Sequence, residues 1–106
     1  MSTTPTVKYA EKAESDIFNI IEFTVQRWGK IQAHTHIDDI QQLVKSLAEH
    51  PGLGKICNDL HDELMAFPCK SHVIYYLKEP HSITIVRVLH NSMNPDLHFK
   101  IESGAW

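Results

Sequence analysis

Eight histidines, two cysteines and an arginine–histidine pair near the C-terminal end are the side chains of this sequence that could do chemistry. Imidazoles and thiols suggest a metal first. His34 and His36 stand two apart on a helical stretch, about 200° around its axis, so they cannot share a ligand site. Cys57 and His61 are four apart and could share one on a helix, but no second pair stands at zinc spacing. Scattered surface histidines are the simpler reading, and no metal or other cofactor is expected. A nucleophilic enzyme needs an activated Ser or Cys with a positioned base. Cys69 beside Lys70 could have a lowered pKa. Yet no nucleophile elbow, phosphate-binding loop or dinucleotide fingerprint accompanies it, and an inert thiol is the plainer account.

An acid–base nuclease is a sharper possibility. Metal-free RNA cleavage needs a base, an acid and a cation for the phosphorane. His90, Glu63 and Arg87 could fill those roles. Arg87 and His90 are three apart, so in a continuous strand they face opposite sides. A bend after Leu89 would be needed to bring them together. The structural alternative makes Arg87 an ion-pair partner and His90 a strand-end hydrogen bonder.

The elements that must carry these residues follow from periodicity. Thr6–Ala10 is a short first strand. Ala13, Ile17, Ile20, Ile21, Thr24 and Trp28 then recur at helical spacing and share one face. Gly29 ends that helix. A second helix covers about Lys30–Glu49, with Ala33, Ile37, Ile40, Val44 and Leu47 on its apolar side. The short link at Gly29 makes the two helices an antiparallel hairpin. Pro51, Gly52 and Gly54 close it, and Ile56–Asp62 is irregular.

Strands follow at Glu63–Phe67, with Pro68 marking an edge or a bulge, at His72–Lys78 and at Ile83–Leu89. These three form an antiparallel meander, which completes an α+β fold with one sheet. Val73, Tyr75 and Leu77 face one way and Ile74 and Tyr76 the other. In the last strand Ile83, Ile85 and Leu89 oppose Val86 and Val88. Both faces are rich in apolar side chains, and one helical hairpin covers only one. The face left bare suggests a partner. The tail, Asn94–Trp106, alternates at Leu97, Phe99 and Ile101, and its order is left open from residue 95 onward.

Composition bounds the function. The chain has 106 residues, which is one domain. Ten basic against 13 acidic residues give a net charge of −3 with neutral His. A dominant nucleic-acid surface is poorly supported, since neutralising phosphates requires a basic stripe. No apolar run reaches membrane-spanning length and no signal peptide is visible, so the expected location is the cytoplasm. Two reduced thiols suit that compartment better than a Cys57–Cys69 bridge.

Several segments in order carry a resemblance. They are Ala13-Glu14-Ser15-Asp16-Ile17; Arg27-Trp28-Gly29 with Gln32-Ala33; and Leu47-Ala48-Glu49-His50-Pro51-Gly52-Leu53-Gly54-Lys55. They continue with Phe67-Pro68, Ser71-His72-Val73-Ile74-Tyr75-Tyr76, and Arg87-Val88-Leu89-His90 followed by Met93. Over about residues 7–98 this resembles the ParE branch of the RelE/ParE toxin superfamily, from bacterial type II toxin–antitoxin modules. The resemblance implies the same strand, helical hairpin and meander. It implies a toxin that binds DNA gyrase and stabilises its cleaved-DNA complex, with no chemistry of its own, neutralised by a cognate antitoxin that folds onto it in a hetero-oligomer. The superfamily's other branch cleaves messenger RNA on the ribosome, and its members resemble strongly basic proteins. This acidic chain departs from them, although a ribosome-dependent interferase and an attenuated toxin that only binds antitoxin remain the rivals. The chain also departs from its own branch, with Ala10 where many relatives have Ser or Thr and Asn94 where they often have Asp. On this resemblance Arg87, His90, Met93 and Trp106 are expected to contact the target. Exposed apolar positions, Tyr75 and Tyr76 among them, are expected to contact the antitoxin.

Overall fold

The structure, a computed structural model, describes residues 6–58, 60 and 62–92. In chain order they form β1 (Thr6–Tyr9), α1 (Glu11–Trp28), α2 (Lys30–Glu49), a short 3-10 turn (Pro51–Leu53), β2 (Lys55–Ile56), β3 (Leu64–Cys69), β4 (His72–Glu79) and β5 (Ser82–His90). The class is the expected α+β. One strand is additional: β2 pairs antiparallel with Met65 and Ala66 in the stretch expected to be irregular. A two-residue strand shows no alternation, so no sequence period marks it. The sheet runs β1-β5-β4-β3-β2, with β1 parallel to β5 and every other pairing antiparallel. Pro68 lies beyond the two residues of β3 that β2 covers, where a missing donor costs the ladder least.

The hairpin turns on one residue. Gly29 ends α1 and begins α2 with φ 94° and ψ 171°, a backbone region essentially reserved for glycine. Its N–H donates to Val25 O at 2.9 Å and its carbonyl accepts from Ala33 N at 3.1 Å, so both helices are closed through it. At the other end of α1, Ala10 offers no side-chain cap. It is buried and donates its N–H to Ile85 O at 2.9 Å, which ties the helix start to the sheet. Glu11 and Glu14 in the first turn complement the helix dipole instead.

The helices cover one sheet face. Ile20, Ile40, Val44 and Leu47 pack there against Ile74, Tyr76 and their neighbours. Tyr76 is fully buried. Its hydroxyl donates to Pro51 O at 2.7 Å and accepts from Gly54 N at 3.0 Å, pinning the 3-10 turn to the sheet. The other face is not bare. Leu64, Tyr75, Val86 and Leu89 form a second buried cluster with Cys57 and Leu60 of the loop after β2 packed on it. Tyr75 and Tyr76, expected to be exposed, are 7% and 0% exposed. Strand alternation assigned their faces and could not report what covers each one.

The sides of β5 also need correction. Tyr75 pairs with Arg87 but Tyr76 pairs with Ile85, so Val86 is an extra residue in the ladder, a β-bulge. Beyond it the alternation reverses. Val88 joins the helix-side core and Leu89 the opposite cluster, the inverse of strict alternation. No bend follows Leu89: the irregularity lies upstream of both Arg87 and His90, which stay in one regular stretch of strand and on opposite sides of it. Trp28, expected on the buried face of α1, is 66% exposed at its last residue. Among the described residues, no helix is long and apolar enough to cross a membrane.

Candidate functional site

A cleft of about 530 Å³ opens between α1, α2, the β3–β4 turn and the end of β5. Its floor is Ile20 and Val88. Its rim carries Phe23 and Trp28, 61% and 66% exposed. The Arg27 guanidinium stands 5.9 Å from the Phe23 ring centre and 5.8 Å from that of Trp28. Large aromatics left in water on a helical hairpin mark an interaction surface more often than chance. The buried Thr24 hydroxyl is satisfied within its own helix, donating to Ile20 O at 2.7 Å.

One ion pair holds the cleft together. Arg87 Nε and Nη2 donate to the Asp16 carboxylate at 2.8 and 2.9 Å, and Val88 N–H donates to it at 3.0 Å. The two side chains are 12% and 13% exposed. A bidentate, largely buried pair of this kind fixes geometry as well as charge. β1 pairs with β5 only as far as Ile85, and beyond it Arg87 and the Val88 N–H both reach Asp16 of α1.

Three imidazoles meet on the opposite wall. The His72 ring centre lies 5.4 Å from that of His36 on α2 and 5.3 Å from that of His90 on β5. His72 and His90 are directly paired across the ladder. His90 Nδ1 accepts from Ser92 N–H at 3.1 Å and stands 2.7 Å from Ser92 Oγ. Burial first, then the neighbouring His36 and His90, push the His72 pKa down to about 4, against an upward pull from Asp16. His36 is also lowered, by burial and then by Lys70, with Asp39 opposing. Lys70 is raised by its hydrogen bond to Asp39. The Cys69 thiol is pushed up by burial and Asp39, which outweigh Lys70, so it is an inert thiol and not an activated one. Among the described residues, no three His, Cys, Asp or Glu side chains are placed to hold a metal ion.

The low His72 value has a consequence for stability. An unfolded His72 titrates near 6.5, so between pH 6.5 and 4 the unfolded chain holds a proton that the folded chain lacks. Stability is therefore complete above about pH 6.5 and declines as the pH falls toward 4. After allowance for screening at a half-buried site, the loss should be roughly 1–2 kcal/mol. Urea titrations at pH 7 and pH 5 check this. His72→Gln should lose most of the slope, and an equal slope in both proteins would locate its origin elsewhere.

The structure brings together some of the expected residues. Arg87 and His90 come to the same end of the sheet, Arg87 as the ion-pair partner and His90 as the strand-end hydrogen bonder. Glu63 does not join them. Leu64 pairs with Leu77 and Leu77 with Thr84, whereas His90 pairs with His72. That places Glu63 at the far end of the meander, roughly 20 Å away. Met93, Trp106 and the tail from residue 95 lie outside the described residues, as does His61, the candidate partner of Cys57. Tyr75 and Tyr76 stand in two different cores. Asp16 and His72 carried no functional reading in the sequence, and His36 was weighed only as a metal ligand beside His34, because each is brought to its partners by long-range packing and not by spacing.

A sequence model of the family described as ParE toxin of type II toxin-antitoxin system, parDE, matches residues 7–95. The chain is 33% identical over 91 residues to Toxin ParE1 of Caulobacter vibrioides, covering 86% of this chain and 94% of that one. It is 28% identical over 85 residues to Toxin ParE1 of Mycobacterium tuberculosis, covering 79% and 87%. Its fold matches a chain of the solved structure described as Chromosomal ParDE TA system from P. aeruginosa, with a TM-score of 0.70 and 20% identity over 84% of this chain and 98% of that one.

Proposed function

The chain belongs to the ParE toxin family of type II toxin–antitoxin systems, and from that premise we propose that it arrests bacterial growth by binding DNA gyrase and stabilising the cleaved-DNA complex. It works in the cytoplasm, by binding and without catalysis, and a cognate antitoxin neutralises it by folding onto its surface. The observation that carries this reading is the family match, which spans every element that builds the cleft.

Target contact falls to the end of β5 and the segment after it, through His90, Met93 and Trp106. Arg87 positions that strand end through Asp16. Antitoxin contact moves from Tyr75 and Tyr76, which are buried, to the aromatic rim of Phe23 and Trp28. Serine at both rim positions should change stability by less than about 1 kcal/mol, since neither side chain is in the core. Antitoxin affinity should fall at least ~30-fold, as expected when aromatic anchors are lost. Calorimetric titration of the purified pair reads both quantities, and unchanged affinity would move the antitoxin off the rim.

An mRNA interferase is less well supported. Arg87 is engaged by Asp16, and Glu63 stands at the other end of the meander from His90. A gyrase assay tests the main reading. Supercoiling and trapped double-strand breaks are followed with purified toxin, with and without antitoxin. Toxin-dependent breaks that antitoxin abolishes are the expected result. No effect at micromolar folded toxin would remove the gyrase claim.

A further inference from the structure

We propose that the cleft receives an amphipathic peptide segment whose carboxylate is bound by the His36–His72–His90 cluster, and that docking takes up a proton. This rests on the antitoxin reading for the class of partner and adds the chemistry by which this cleft recognises it.

The argument begins with which charges are already engaged. Acting on His72 are Asp16 from α1, His36 from α2 and His90 from β5. Asp39 of α2 and Lys70 of the β3–β4 turn act on His36, and Arg87 of β5 binds Asp16. Asp16 gives both oxygens to Arg87 and Val88 N–H. Asp39 is paired with Lys70. The acids and the strong bases cancel in pairs, and three imidazoles are left at the centre.

Two of these rings, His72 and His36, are biased toward the neutral form for physical reasons. Burial disfavours the charged form, and a proton on one ring repels a proton on the next. Burial and both neighbours push His72 down. A carboxylate arriving within hydrogen-bond distance reverses the balance, because an opposite charge favours the protonated ring. An apolar side chain alone would desolvate the cluster further and gain nothing from it. The cleft also offers Phe23, Trp28 and Ile20 on its other side. A segment presenting apolar anchors along one helical stripe with one acidic residue beside them satisfies both walls.

A pair of blocked amphipathic peptides tests this. Each carries leucines at i, i+3, i+4 and i+7, and they differ only by glutamate or glutamine at the central flanking position. Binding to the full-length chain is measured by calorimetry at pH 6 and pH 8, in buffers of different ionisation enthalpy. The glutamate peptide is expected to bind at least fivefold tighter at pH 6, with net proton uptake. The glutamine peptide should show neither effect. In the glutamate complex the His72 ring signal should titrate at higher pH than in the free protein. His36→Gln, which removes the α2 ring beside His72, should reduce the pH dependence without changing any residue of the sheet. Equal binding of the two peptides, or binding of neither, would overturn the proposal. Rescue of growth by antitoxin is scored separately. An antitoxin that neutralises toxicity with an affinity flat from pH 6 to 8 would sink this inference and leave the partner intact.

Discussion

Replacing Asp16 by Ala should cost roughly 3 kcal/mol of folding stability, because it strands a largely buried guanidinium and an amide donor together. Asp16 receives two hydrogen bonds from Arg87 and one from Val88 N–H, and both side chains are nearly excluded from water. The cost should be strongly non-additive. Arg87→Met in the Asp16→Ala background should recover part of the loss, since it removes the uncompensated charge. Urea unfolding of the wild type, both single variants and the double variant measures the coupling. An Asp16→Ala penalty below about 1 kcal/mol would show that the pair is solvated and does not organise the cleft. Toxicity should fall along with stability, because His90 sits three residues beyond Arg87 on the same strand end.

The second large effect concerns Gly54. A Cβ there would lie 2.5 Å from the Tyr76 hydroxyl and 3.0 Å from Ala66 O. The first distance is impossible and the second leaves little room, so Gly54→Ala should cost about 2–3 kcal/mol through displacement of the 3-10 turn. Tyr76→Phe should cost about 1–2 kcal/mol, since Pro51 O and Gly54 N both lose their partner. The double variant should lose less than the sum. Removing the hydroxyl relieves the worst clash, while the Ala66 carbonyl and the ring carbon Cε1 of residue 76, each 3.0 Å away, still resist. Thermal unfolding of the four proteins checks this, and strict additivity would mean that the two residues do not touch in solution.

Much of this fold is written locally. The spacing of Ala13, Ile20 and Thr24, and of Ala33, Ile40, Val44 and Leu47, defines two helices whose limits agree with the sequence reading, because Gly29 leaves no other place to turn. The β-branched and aromatic runs His72–Lys78 and Ile83–Leu89 mark the paired strands equally plainly, each within a residue of the observed His72–Glu79 and Ser82–His90. What was not legible depends on contacts far apart in sequence. Val86 looks like any strand valine, and only the partner strand reveals that it is surplus. Lys55–Ile56 has no period of its own and is a strand only because Met65 and Ala66 lie beside it. The cleft was invisible for the same reason. Asp16 and Arg87 are 71 residues apart, and His36, His72 and His90 come from three elements. The aromatic rim was misplaced because Trp28 falls in phase with the buried face of α1 but stands at its final turn, past the core.

The surplus residue in β5 sets the phase of everything after it. Upstream of Val86, odd-numbered positions look toward the helices; downstream, even-numbered ones do. The strand is in effect two half-strands spliced out of step, and its second half carries Val88 and His90. Deleting Val86 would leave the composition and the number of strands nearly intact. It would rotate each downstream position to the other side of the sheet, exchanging the side chains of the cleft wall with those of the opposite core. Homologous chains that differ in length by one residue at this point should therefore differ in which partner they accept, although their helices and first four strands superpose.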